Sequence, residues 1–561
     1  MKRFILFLSI FLLSISAYAD IVPRTLIALY DGQPLEKQSL HTAAEMPLNY
    51  LGLTLEYHDV RKPLPDLTHR EDVLGVISWF DGGEKIAHTE GYTKWLMKEM
   101  DAGKKLVILG NPGFIEDTSP EGLERTNEVL GRLGLYYTNQ WQDMTYQNVV
   151  IKDDKSIMNY ERKLPLIIPD HFQIKSFDPE NRIILSIADY GNKDLRSDLI
   201  VTGPHGGYAQ DGFFFYELFN QKTHEDEKAW IMNPFVFFRK ALETDVVPKA
   251  DTTTLAGSRI FYSHIDGDGW NNISDVRGKN NKLELSVKVL SDHVFKKYPY
   301  FPVTVSAIAG DLDPDWVGTE ASRNAAREVY ALKNIRVGSH TYSHPFEWQF
   351  FDDYSLEKEF PLLSRYPGKT WGSNKKLVAS LSEKVRDAPP PKLDEKYEVP
   401  RAYAKEPFDL HKELVGSLSY IDKYAPKGKK KGDIILWSGN TTPSAPALKM
   451  LEENNLLNIN GGDTRFDNKY PSVSWVAPIG KQLGKYHQIY SSNSNENTYT
   501  NLWHSDFFGY SFLTKTFEST ENPIRLKPMN MYYHMYSGEK EASLKAVLHN
   551  MGLLQSDSFI A

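Results

Sequence analysis

The chain contains no cysteine. That excludes disulfides, a thiol nucleophile, thiolate metal ligands and a lipidated N-terminal cysteine. Any metal must therefore be held by His, Asp or Glu. Beyond the N-terminus no apolar run approaches the roughly 20 residues needed to cross a bilayer, so no integral membrane segment is expected. Excess positive charge is missing too: the formal net charge is −8 over 561 residues. Such a chain is a poor partner for nucleic acid or anionic lipid. Neither G-x-G-x-x-G nor a P-loop follows the strand candidates of the first half, which removes the usual nucleotide signatures. Short-period repeats and long low-complexity tracts are also absent.

What is present begins with a leader. Lys2 and Arg3 precede the apolar stretch Phe4 to Leu13, and Ala17-Tyr18-Ala19 supplies an A-x-A cleavage site. Residues 1–19 thus read as a cleaved signal peptide, with a periplasmic or secreted protein starting at Asp20. Loss of Lys2 and Arg3 takes the formal charge to −10. The remaining length is too great for one core and predicts at least two domains. The polar segment 246–255, VVPKADTTTL, reads as the linker between residues 20–245 and 256–561.

In the first half, strand-like runs at Thr25–Tyr30, Thr54–Asp59, Val73–Trp79 and Lys105–Gly110 alternate with helical stretches near 40–51 and 91–102. This rhythm predicts a parallel sheet with helices on both faces. It resembles flavodoxin-like or class I amidotransferase-like domains. The latter use a cysteine after a strand, so the resemblance implies a domain without that nucleophile. Asp31, Asp81 and Gly110-Asn-Pro-Gly113 stand at the expected strand ends, and a structural or glycan-contacting role is expected there.

In the second half, seven strand candidates alternate with helices. They lie near 259–265, 301–308, 335–339, 434–437, 457–460, 473–477 and 529–534. That pattern predicts a distorted (β/α)7 barrel, whose functional groups collect at the C-terminal strand ends. Polar groups do follow most of these runs: Asp266 and Asp268, Asp311 and Asp313, His340 and His344, Ser438 and Asn440, Asp463, and His534. The segment 361–399 reads as a poorly ordered excursion that rims the site.

Two stretches carry chemistry. One is Phe261-Tyr-Ser-His-Ile-Asp-Gly-Asp-Gly-Trp270, and the other is Gly338-Ser-His-Thr-Tyr-Ser-His344. Two histidines and a carboxylate suit zinc or a similar divalent ion with open positions for water and substrate. With Asp268 as the metal ligand beside His340 and His344, Asp266 is free to serve as general base. His534 is the candidate general acid. Trp437 could wall a sugar pocket or simply fill the core, and Asp463 could contact substrate or cap a strand.

The Asp-Gly-Asp and Ser-His-Thr-Tyr-Ser-His-Pro motifs resemble those of NodB-type polysaccharide deacetylases. The resemblance implies Asp266 as base and Asp268, His340 and His344 as ligands of Zn²⁺ or Co²⁺. Gly267 between the carboxylates departs from that family, and no convincing counterpart of its R-x-P motif is found, Arg365-Tyr366-Pro367 not being matched to it. His264 to Trp270, Trp437-Ser-Gly-Asn440, Asn460-Gly-Gly-Asp463 and Tyr532-Tyr-His-Met-Tyr536 resemble the deacetylase region of Pel exopolysaccharide-processing proteins. This narrower resemblance implies N-deacetylation of an exported amino-sugar polysaccharide in biofilm matrix production, with polysaccharide export or synthesis proteins as partners. The alternatives from other classes are a glycoside hydrolase using Asp266 and Asp268, and an inert glycan-binding scaffold.

Overall fold

A computed structural model describes residues 21–32, 34–80, 86, 88–221, 225–278, 281–394 and 396–556. The expected leader and Asp81 lie outside these residues. Among the described residues no helix is long and apolar enough to cross a membrane.

The chain is an α/β protein built on two principal sheets. The first has eight strands. Thr54–Asp59, Thr25–Tyr30, Val73–Phe80 and Lys105–Gly110 lie side by side and parallel, and Gly206–Ala209 continues the parallel set. A strand covered on both faces must be apolar throughout, and Leu26, Ile27, Ala28 and Leu29 are all fully buried. The spatial order of these strands matches one common doubly wound arrangement.

The strands after Gly110 do not continue the expected parallel arrangement throughout. Ser197–Gly203, Arg182–Asp189 and Asn148–Asp153 complete the sheet in antiparallel fashion. The physical reason is the connection length. Only Pro204 and His205 separate Ser197–Gly203 from Gly206–Ala209, enough for a hairpin but not for the dozen or more residues of a parallel crossover.

The second sheet has six strands, all parallel, in the order Leu457–Ile459, Ile434–Leu436, Ile335–Ser339, Val303–Ala307, Phe261–Asp266, Met529–His534. Among the described residues its two outer strands do not pair, so the sheet is open rather than a closed seven-stranded barrel. The missing strand is the one expected at 473–477. Val473–Trp475 is instead a single helical turn, and Glu161 from the first half accepts hydrogen bonds from Ser472 Oγ (2.6 Å) and Val473 N (2.8 Å). Val473, Val476 and Leu526 are buried in the same apolar cluster as the first sheet's Leu26 and Trp79. The apolar pattern there reflects packing between the two halves, not strand pairing.

The segment 361–399 is also better organised than expected. It holds short helices, Trp371–Ser373, Lys375–Ser380 and Glu383–Arg386, the first of which bonds to a buried ion pair between Arg401 and Glu359. Arg401 Nε and Nη2 donate to Glu359 at 2.8 and 2.9 Å. Glu359 also accepts from Trp371 Nε1 and from the hydroxyls of Tyr354 and Tyr366. A carboxylate so fully satisfied can be buried at tolerable cost, and it anchors the segment.

Candidate active site

Register brings the chemistry to one edge of the second sheet. Asp266 ends its strand directly beside His534 on one neighbour and Ser306 on the other. Side chains two apart share a face of a strand, so His264 and Asp266 align with Tyr532 and His534 across the pair. Gly267 then has to pass the adjacent strand closely. A Cβ there would lie 2.6 Å from Ile308 N and 2.8 Å from Ser306 O. Gly269 has φ +86° and would press a Cβ to 2.5 Å from Tyr536 Cβ. The two glycines thus let the backbone turn, while Tyr536 N donates to Asp268 O at 2.9 Å and fixes the second aspartate. Gly267→Ala is expected to destabilise the fold by about 1–3 kcal/mol through overpacking and to depress activity by shifting both aspartates. Denaturant midpoints and turnover, measured together, check this.

Asp268, His340 and His344 converge. His340 Nε2 lies 3.0 Å from Asp268 Oδ2, His344 Nε2 lies 3.0 Å from Asp268 Oδ1, and the two Nε2 atoms are 3.2 Å apart. These edges approach the separation of about 3.3 Å expected between ligand atoms around a tetrahedral ion with bonds of about 2.0–2.1 Å. The His340 Nδ1 contact is Leu436 O at 2.9 Å. A carbonyl only accepts, so Nδ1 carries a proton, and the Nε2 that faces Asp268 is the nitrogen that a neutral His340 would offer to a cation. Burial would raise the Asp268 carboxyl, but the neighbouring His344 charge and the His340 hydrogen bond hold it well below the usual carboxylate range. The donor set fits a divalent cation.

The loop bearing the histidines is strained and held from behind. Thr341 and His344 have φ of 66° and 56°, in the left-handed region that costs a non-glycine residue energy. Buried Glu413 accepts from Tyr342 N and Ser343 N, both at 2.9 Å, and from the Ser343 hydroxyl. The loop is therefore a turn following the strand, as the proline after His344 predicts.

A second network surrounds Asp266, which is 1 % exposed. Asn460 Nδ2 donates to both its oxygens, at 3.2 and 3.0 Å, and Tyr532 OH donates at 2.7 Å. Asn460 is itself oriented by His264 Nε2 at 3.0 Å, and the other His264 nitrogen faces Asn530 Nδ2 at 3.1 Å. Burial lowers His264 to about 4, so it is neutral. Its Nε2–H then donates to Asn460 Oδ1, leaving the Asn460 amide nitrogen turned toward Asp266.

His534 has the opposite character. Its Nδ1 is 3.0 Å from Glu496 Oε2, and Glu496 Oε1 accepts from His534 N and Ser537 Oγ, both at 2.8 Å. Burial alone would lower His534, but the Glu496 charge and hydrogen bond, reinforced by Asp266 and Asp268, push it up to about 9. It is a protonated imidazole whose Nε2 lies 3.7 Å from Asp266 Oδ2. A second donor grouping, Asp266 with Asp268 and His534, is also compact. The proton that Glu496 stabilises on His534 makes that imidazole the poorer cation ligand.

The candidate catalytic, cation-binding and substrate residues named from the sequence line one cleft of ≈ 450 Å³: Asp266, Asp268, His340, His344, Trp437, Asp463 and His534. Trp437 is fully buried, edge-on to Trp348 at 5.0 Å, with Nε1 donating to Asn458; it serves the core as well as the wall. Asn440 bonds Gln349 and caps its own turn. Asp313 accepts from Tyr342 OH. Asp311, raised by burial to about 6, accepts from Tyr403 OH at 2.6 Å. Tyr397 and Asp394 bring the 361–399 segment to the rim. The first half reaches the cleft wall through Tyr490, whose ring packs on Gly461 and Gly462 so tightly that a Cβ on Gly462 would lie 2.1 Å away. Tyr490 OH in turn meets His41 Nε2 at 2.9 Å, and His41 Nδ1 meets buried Glu45 at 2.6 Å.

Glu496, Glu413 and the orienting role of Asn460 were not found from sequence. Glu496 sits in an irregular polar stretch with no periodic signal, and its partner is 38 residues away.

No protein-family model matches the chain, and no curated protein does. Among solved structures it is similar to a peptidoglycan N-acetylglucosamine deacetylase in complex with an N-hydroxybenzamide. The identity is 9%, the TM-score 0.25, and the match covers 54% of this chain and 85% of that one. A likeness of that size carries no argument, and the functional reading rests on the residues above.

Proposed function

We propose that this protein is a metal-dependent N-deacetylase acting on an amino-sugar polysaccharide. The observation that carries the proposal is the division of five polar groups into two sets: Asp268, His340 and His344 as a cation triad, and Asp266 with His534 as a proton-handling pair.

In this reading Asp268, His340 and His344 hold the cation, with Zn²⁺ or Co²⁺ suiting the nitrogen and oxygen donors. When bound, the cation supplies Lewis acidity toward water and the amide carbonyl. Asp266, oriented by Asn460 and Tyr532, takes a proton from the attacking water. The water oxygen forms a bond to the acetyl carbon. His534 gives its proton to the departing amide nitrogen as the C–N bond breaks; acetic acid and a free amine result, and the acid leaves as acetate after passing its remaining proton to solvent. Protons balance: one enters on Asp266 and one leaves from His534.

A sign follows for the pH profile. A protonated His534 is the active acid, so kcat falls on the alkaline side as that proton is lost, from about 9 and lower once a cation is bound nearby. Removing the charge of Glu496, the main group raising His534, must move this limb to lower pH. Glu496→Gln should therefore shift the alkaline limb down while leaving cation content intact. An unchanged limb in the kcat–pH profile would remove His534 from the acid role.

The glycosidase alternative is disfavoured by geometry. Asp266 and Asp268 present oxygens within 4.8 Å of one another and of His534. Asp268 faces two imidazoles, whereas glycosidic carboxyls flank a bond at about 5 Å or more. Product analysis tests the choice: acetate without new reducing ends is expected, and reducing ends without acetate would reverse it. The narrower assignment, to an exported Pel-type exopolysaccharide with a periplasmic or secreted site of action, is supported by the resemblance of the His264–Trp270 and Tyr532–Tyr536 segments. Export and synthesis proteins as partners belong to the same proposal.

A further inference from the structure

A second cavity, of ≈ 990 Å³, adjoins the catalytic cleft and is used by none of the chemistry above. The two share Asn497, Thr498 and Leu502 as common lining, so they adjoin at these residues. Beyond that junction the surface turns apolar and aromatic. Leu502, Phe508 and Phe512 are 63%, 48% and 58% exposed, and a soluble surface rarely spends three large apolar side chains on one patch without use.

The junction itself is built with unusual backbone. Asn501, Leu502 and Trp503 have φ of 49°, 54° and 63° in succession, a conformation that costs each of these residues energy. Rings connect this loop to the catalytic acid. His534 stacks on Tyr536 (4.7 Å, 10°), Tyr536 contacts Trp503 (4.5 Å), and Trp503 contacts Phe507 (5.0 Å). Tyr536 OH also donates to Asn497 Oδ1 at 2.9 Å, so the shared wall is fixed to the residue that packs against His534.

Together these features describe a path leaving the reacting centre past polar Asn497 and Thr498 onto exposed aromatic faces. A pyranose ring presents an apolar C–H face and a polar rim, which matches such a surface. We propose that this groove binds the sugar residues adjoining the one being deacetylated, with Phe508 and Phe512 as stacking platforms. The inference rests on the deacetylase reading and adds a site that selects chains over single sugars.

The test uses the full-length protein and a Phe508→Ala/Phe512→Ala variant. Both side chains are exposed, so folding should be retained. Substrates are N-acetylglucosamine and N-acetylgalactosamine oligomers of one to five residues. With the native protein, kcat/KM should rise with chain length. The double variant should lose about tenfold or more on the longest oligomer and nothing on the shortest. Equal effects at all lengths, or none at any, would overturn the groove while leaving acetate release, and hence the deacetylase reading, standing. Pentamer binding is measured separately by calorimetry without turnover. If no substrate yields acetate but pentamer binding still weakens at least tenfold in the variant, the groove stands and the deacetylase reading falls. If pentamer binding is unchanged in the variant, the patch serves something other than a glycan and the inference fails.

Discussion

His340→Ala will release the divalent cation and lower acetate production by at least about 10³-fold, because several kcal/mol of Lewis-acid stabilisation are lost at about 1.4 kcal/mol per decade. The reasoning is local. His340 presents Nε2 because Leu436 O occupies Nδ1, and that nitrogen lies 3.0 Å from Asp268 and 3.2 Å from His344. Without it, two donors remain, Asp268 and His344, too few to hold zinc tightly. Metal analysis of the purified variant beside the native protein decides the point. A variant that keeps one cation per chain would show that the triad is not the site.

Asp266→Asn has the complementary signature. It should retain the cation yet lose about 10²–10⁴ in kcat, the usual contribution of a general base, with little change in KM. The surroundings of Asp266 make the separation sharp. Every close hydrogen-bond partner of its carboxylate, Asn460 Nδ2 and Tyr532 OH, is a donor. An amide introduced there keeps the shape but cannot take a proton, and its NH₂ must face another donor. Loss of the cation along with turnover would mean that Asp266, not only Asp268, is a ligand, and the proposed division of labour would be wrong.

The fold and the site were legible in the sequence to different depths. Asp266, Asp268, His340 and His344 are visible because each pair lies within four residues at the end of an apolar run. Local spacing and strand periodicity are what a sequence displays. The groups that orient them are not local. Asn460 and Tyr532 reach Asp266 across 194 and 266 residues, and only the order of strands in the second sheet brings them there. The arginines of the two R-x-P runs, Arg61 and Arg365, bond to Asp59 and to Glu398 O, and the contacts that hold the Asp266 carboxylate come from an asparagine and a tyrosine.

The errors have equally specific causes. Val473 to Ala477 looked like a strand because apolar residues cluster there, but they fill the core shared with the first half. The antiparallel completion of the first sheet was hidden because strand runs do not announce their direction. The 361–399 segment looked disordered because its organising group is a single buried ion pair, Arg401 with Glu359. That pairing leaves no periodic trace.

The most direct test is acetate release from a partly N-acetylated amino-sugar polymer by protein stripped with chelator and then titrated with Zn²⁺ or Co²⁺. The account predicts no acetate from the stripped protein, recovery that saturates at one cation per chain, and no new reducing ends at any point. Acetate release indifferent to chelator, or reducing ends appearing in place of acetate, would contradict it.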